Sequence, residues 1–268
     1  MIESDRKKLD DKIFDEDLEN DKYHNYLFVR VGAKGKRFVG VDFSHTYFEH
    51  CYFRNCIFDS CNFNGCKFIN TNLLGSSFPG SKFEYAIFDK TQVDNDILKS
   101  NCPGLYNQKQ KFARSLRTNY QSLGDAASVN KAIKIELEAT KIHLKKAWHS
   151  NESYYRKKYS GLQRVEEFFK WFVFVIQEFI WGNGEKPWKL FRTGLLLWIM
   201  MTITDVVIFH NPMIVSDYFA AFLEMPKLFL GVGILHQYSG IYLSLITAIR
   251  LIGFGLFLSI LIKRFNKR

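Results

Sequence analysis

Few side chains in this sequence of 268 residues stand where chemistry would need them. Cys51, Cys56, Cys61 and Cys66 repeat a CxxxxC spacing, whereas zinc sites pair their ligands two to four residues apart. Thiols spaced this way suit small buried side chains in a reducing cytoplasm, so no metal and no cofactor is expected. The histidines are scattered, no nucleophile has a base in a familiar frame, and no glycine loop suits a phosphate, so the chain does not read as an enzyme. The chemistry left is electrostatic. Asp205 and Arg250 interrupt stretches that are otherwise apolar. A charge facing lipid costs several kcal/mol, so each must face a partner or a wet cavity. One reading pairs Asp205 with Arg250, or Arg250 with a lipid phosphate. The other has Arg250 line a pathway, where a ring of arginines would repel cations and favour anions.

The elements that must hold these charges are two apolar runs, Trp188 to Phe209 and Ile241 to Ile262. Each has the roughly 20 residues a helix needs to cross a hydrocarbon core of about 30 Å. Together they predict a membrane hairpin. The connection from Asn211 to Gly240 is apolar yet broken by Pro212, Pro226, Gly231 and Gly233. Non-helical backbone at membrane depth is tolerated only when buried in protein or lining a cavity. The expectation is therefore a re-entrant segment: a short helix from about Asp217 to Glu224, then an extended piece from Leu228 to Gly233, with Leu230, Gly231, Val232 and Gly233 as filter-like positions. Helix, re-entrant loop and helix is the plan of a cation-channel pore, whose backbone carbonyls replace the ion's water shell. Gly253 and Gly255 either hinge the second span or let it pack closely, the latter favoured. One hairpin cannot enclose a hole, so a pore requires a homo-oligomer. Lys186, Lys189 and Arg192 precede the first span and Lys263, Arg264, Lys267 and Arg268 follow the second, while the connection carries Lys227 alone. The positive-inside rule then places both termini in the cytoplasm of a two-span cell-membrane protein.

The formal net charge of +10 is unevenly spread. Tyr106 to Arg164 holds thirteen Lys and Arg against four Asp and Glu. Beside membrane spans, such a segment points to anionic lipid headgroups rather than nucleic acid. Residues 1–30 are dense in Asp, Glu and Lys, with no signal peptide in view, and are expected to be flexible or a frayed helix around Ile13, Phe14 and Leu18.

From Phe38 a period of five takes over. Phe38, Phe43, Phe48, Phe53, Phe58, Phe63, Phe68, Leu73, Phe78, Phe83 and Phe88 follow without a slip, and Val93 and Leu98 extend the frame. Two residues before each sits a smaller one, from Val41 through Cys51, Cys56, Cys61 and Cys66 to Thr91. Neither helix nor strand has this period, so the repeat itself is the structural unit. Runs such as CYFRNCIFDSCNFNGCKF resemble the pentapeptide-repeat family. The resemblance implies a short right-handed quadrilateral β-helix, one pentapeptide per side and twenty residues per coil, here over residues 31–100. Some members imitate DNA with an acidic surface. Five acids against four bases between Phe38 and Val93 argue against that role and leave a platform for assembly or for a cytoplasmic protein partner.

After Cys102-Pro103-Gly104 the period becomes helical. Phe112, Leu116, Tyr120 and Leu123 form one stripe, and Ala132 to Trp148 a second beyond the turn at Gly124-Asp125. Residues 104–160 thus form an antiparallel helix pair, resembling the tetratricopeptide-like linker of pentapeptide-repeat proteins with ion-channel tails; it serves as a spacer or as a regulatory surface. Residues 163–182 form an aromatic amphipathic helix suited to the membrane interface. The turn Gly182 to Trp188 resembles the one ahead of the first span in those proteins, and residues 188–268 resemble their two-span channel module at Asp217-Tyr218-Phe219, Gly231-Val232-Gly233 and Gly253 to Phe257. Potassium filters read TTxGYGD, and the threonines and acid are replaced here, so potassium selectivity does not carry over. The resemblance implies a tetrameric ion channel of mixed α and β fold. The alternative is a non-conducting membrane-anchored scaffold that recruits a partner through its repeats.

Overall fold

In a computed structural model, residues 6–232 and 238–265 are described. They divide into two compact units, residues 1–168 and 169–268.

The first unit begins with a β-solenoid of about four turns. Phe43, Phe48, Phe53, Phe58, Phe63, Phe68, Leu73, Phe78, Phe83 and Phe88 are all 5% exposed or less. Rings one coil apart lie nearly flat on each other, Phe48 on Phe68 at 4.8 Å and Phe68 on Phe88 at 5.0 Å. The widest wall pairs Lys7–Asp10, Tyr26–Val29, Tyr47–Glu49, Lys67–Ile69 and Ile87–Asp89 in parallel. Each corner is made by one residue at positive φ, every fifth residue from Asn20 to Lys90. That conformation costs an ordinary side chain about 1–2 kcal/mol, and Gly or Asn takes it at nine of the fifteen corners.

The small inward residues close the ladder. Cys61 donates its S–H to the carbonyl of Phe38, 23 residues back, and Cys66 to that of Phe43. Thr71, Ser76 and Ser81 make the same bond to Phe48, Phe53 and Phe58. Thiol and hydroxyl are therefore interchangeable at this position. Burial pushes the Cys51 thiol up to about 12 and Cys61 to about 11, and raises Cys56 and Cys66 as well.

The expected flexible tail over residues 1–30 is not what residues 6–30 form, for they supply the solenoid's first coil. Leu9 stacks on Phe28 in parallel register, Phe14 is 5% exposed, and Leu18 pairs with Phe38. The coil was hidden because it is one residue short: Lys7 pairs with Tyr26, nineteen residues on, where later coils pair at twenty. The slip puts Phe14 inside and leaves its neighbour Ile13 67% exposed.

At the other end, α1 (Ile97–Ser100) and α2 (Tyr106–Ser122) cover the last coil. Phe112 of α2 sits 5.9 Å from Phe83 and 6.0 Å from Phe88. The open backbone of that coil, which water would otherwise satisfy, finds side chains instead. The Asn119 amide accepts from Thr91 N–H and donates to Thr91 C=O, both at 2.7 Å, while Ser115 Oγ accepts from Phe88 N–H. Asn101 donates to the carbonyls of Phe78 and Ser81. Asp125 caps α3 (Ala126–His149) through Ser128 N–H, and these bonds hold its carboxyl below the usual range. Two of the pair's cations are answered at one point, where Glu136 of α3 accepts from Arg114 and Arg117 of α2, each at 2.8 Å. Then α4 (Ser153–Lys158) folds back on α3 through Tyr155, which is 2% exposed. Within residues 104–160, α2 and α3 thus pack on each other and α4 follows.

Candidate functional site

The second unit takes in most of α5 (Leu162–Trp181), then α6 (Pro187–Phe209), α7 (Val215–Leu230) and α8 (Gly240–Phe265). Both α6 and α8 are long and apolar enough to cross a membrane. Their apolar residues point outward: only 11% of the apolar stretch of α8 and 28% of that of α6 is buried. A core helix in a water-soluble fold would show the opposite.

The corner between α5 and α6 is tightly built. Gly182, Asn183 and Gly184 all adopt left-handed backbone, and Pro187 starts α6 at a position where its missing N–H costs nothing. Three residues of α6 then cap the last carbonyls of α5. Lys189 donates to Glu178, Arg192 to Phe179 and Thr193 to Ile180, at 2.6 to 3.0 Å. Cations at a helix C-terminus also offset its dipole. Upstream of this corner, Phe169, Phe172, Val173, Ile176 and Phe179 form an exposed stripe along α5.

The segment after α6 departs from expectation. The short helix expected to end near Glu224 runs on to Leu230, so Leu228, Phe229 and Leu230 are helical and not an extended filter. Pro226 should have stopped it, since a proline inside a helix leaves the carbonyl four residues back without its N–H. That carbonyl belongs to Phe222, and the indole N–H of Trp198 on α6 donates to it at 3.0 Å, with the Trp198 and Phe222 rings stacked at 4.9 Å. The bond replaces what Pro226 removes and ties α7 to α6. Sequence reasoning missed this contact; Trp198 lies 24 residues before Phe222, and only their packing reveals it.

The filter-like positions fare as follows. Leu230 ends α7 and is 57% exposed, Gly231 caps it in the left-handed conformation, and Val232 is 79% exposed. Gly233 lies outside the described residues. Met201, Met225, Leu228 and Ile246 make the small core where α6, α7 and α8 meet. The two charges within the span-length helices, Asp205 and Arg250, are not brought together. Asp205, 1% exposed, has its Oδ2 3.4 Å from His210 Nε2. Arg250 instead donates from Nη1 to the Phe229 carbonyl at 3.4 Å, so the Asp205 to Arg250 pairing is not formed. A Cβ built on Gly253 or Gly255 would meet nothing within 4 Å, so neither glycine serves a close approach within this chain. Between α6 and α7 an open apolar groove is lined by Ile199, Ile203, Val215 and Phe219; the Thr202 hydroxyl beside it donates to Trp198 C=O. Among the described residues no group of three or more His, Cys, Asp or Glu could hold a metal ion.

Comparisons with known proteins bear on the first unit. Two solved structures share part of its fold. One is a pentapeptide repeat protein of the Arabidopsis thaliana thylakoid lumen, 16% identical, covering 35% of this chain and 76% of that one, with a TM-score of 0.22. The other is QnrB1, a plasmid-mediated fluoroquinolone resistance protein, 20% identical over 33% of this chain and 54% of its own, with a TM-score of 0.13. No curated protein matches the sequence. The family model for pentapeptide repeats matches eight copies across residues 37–75 and 61–95. With the five-residue corners and the inward phenylalanines already in place, residues 37–95 of this chain are pentapeptide repeats.

Proposed function

We propose that residues 169–268 assemble in several copies, four by resemblance, into a membrane pore for small ions. In this reading the solenoid and its helical cap form a cytoplasmic platform for assembly or gating. The observation that carries it is α7: a helix of 16 residues set between two span-length helices and fixed to the first by the Trp198 to Phe222 bond. Sixteen residues cover about 24 Å, too little to cross a bilayer but enough to enter one and stop. With Leu228 to Leu230 helical, ions would pass the end of α7, and those three residues would supply no extended file of carbonyls.

Two features fit a membrane setting. The aromatic stripe of α5 suits the headgroup plane, and the exposed Lys145, Arg156 and Lys157 of α3 and α4 suit anionic lipid. The tight corner at Gly182 to Thr193 would then pass movement of α5 directly into α6. The second reading, a membrane-anchored scaffold without conduction, is favoured by the outward Tyr52, Ile57 and Ile87 of the solenoid, which are 41–50% exposed and suit a protein partner. Purified protein in liposomes separates them: the pore reading expects protein-dependent ion flux, and sealed vesicles containing inserted, assembled protein would leave the scaffold.

A further inference from the structure

We infer that the end of α7, with Arg250, is a site for small anions, so that the proposed pore prefers chloride to potassium. This rests on the pore reading and assigns its ion. The last turn of α7 is nearly closed on itself: Gly231 N–H bonds to Leu228 C=O and Val232 N–H to Lys227 C=O. Among the described residues no backbone N–H reaches the carbonyl of Phe229, and Arg250 donates to it. A helix C-terminus carries about half a negative charge, so an exposed one lures cations. Here that place is taken by a built-in cation.

The fit is specific. A Cβ on Gly231 would stand 2.6 Å from Arg250 Nη1, so any side chain there would push the guanidinium off the helix end. The arginine's charge exceeds the helix-end charge it meets, and no acid cancels the rest: among the described residues no carboxylate pairs with Arg250, and Asp205 lies against His210 instead. Of the nearby charges on α7, Lys227 in the last turn adds to the positive side and Glu224 offsets it. A guanidinium has five N–H donors, and the Phe229 carbonyl uses one. The others can take the place of an anion's water shell.

The test is reversal potential in planar bilayers holding the purified full-length protein under a potassium chloride gradient. The parent should reverse toward the chloride equilibrium potential, with chloride favoured by about fivefold or more. Arg250→Gln should bring the ratio to about one or below, and Arg250→Lys should keep the chloride preference. If Arg250→Gln fails to assemble, Gly231→Ala displaces the same guanidinium with a single methyl and should lower the ratio. A parent that prefers potassium, or variants that leave the ratio untouched, would reduce Arg250 to a plug for the helix end and overturn the inference while sparing the pore. No current with either ion would overturn the pore reading and this inference with it.

Discussion

At the scale of single residues, the chain relies on small polar groups placed against carbonyls. The four cysteines of the solenoid do what Thr71, Ser76 and Ser81 do, and the raised thiols give this a chemical signature. At pH 8, alkylation of Cys51, Cys56, Cys61 and Cys66 in the native protein should be slower than in denaturant by at least about a hundredfold, since only thiolates react; mass spectrometry of iodoacetamide-treated protein checks it. Alkaline pH carries the same logic. Above the ordinary thiol value of about 9 the unfolded chain ionises while the fold keeps Cys51 neutral up to about 12. Across that window each such thiol should remove stability at about 1.4 kcal/mol per pH unit. Serine at Cys61, matching Ser81 in role, should lessen that alkaline loss. On α6, Trp198→Phe should cost about 1 kcal/mol by leaving the Phe222 carbonyl of α7 unmatched. In a Pro226→Ala background the helix supplies its own N–H, and most of that cost should vanish; unfolding in detergent across the four variants measures the coupling.

Among elements, α2 matters most to the solenoid, because a stack of coils ends in a row of unpaired backbone groups. Asn119→Ala strips both bonds from Thr91 and should destabilise the first unit by about 2–4 kcal/mol, read from urea unfolding by circular dichroism. Asn119→Asp, which sets a buried carboxylate against the Thr91 carbonyl, should cost at least as much. How far the sequence disclosed these elements depends on where their information lies. The coils from Phe38 to Phe88 were legible because one inward residue type recurs at one spacing. The first coil was not, with Ala33, Tyr23 and Leu18 at the inward positions and a residue missing after Phe14. The corners would have shown it, since Asn20, Asn25, Gly35 and Gly40 keep the five-residue beat in residues suited to positive φ. The two span-length helices were legible from length and apolarity alone. The run of α7 past Pro226 was not, because the group that permits it comes from another helix.

For the whole molecule, the chain divides near residue 168 into two compact units. Residues 1–168 contain the solenoid, its cap and the Trp148 to Phe168 contact, and should be soluble and cooperatively folded without detergent. Size-exclusion chromatography and a single thermal transition would show it, whereas aggregation without detergent would place part of the second unit in their core. The site in the second unit was only partly legible for a related reason. Composition identified Asp205 and Arg250 as charges needing partners, but their choice of His210 and the Phe229 carbonyl depends on how three helices cross.

The square cross-section of the solenoid also makes its length a dial. Because one coil returns the chain to the same wall, an added block of twenty residues would raise the cap by about 4.8 Å and leave its bearing unchanged. Five added residues would instead deliver α2 to the adjacent side, a quarter-turn away. Descendants of this chain that gain or lose repeats in whole coils keep their heading, and those that change by a single pentapeptide must re-aim everything downstream.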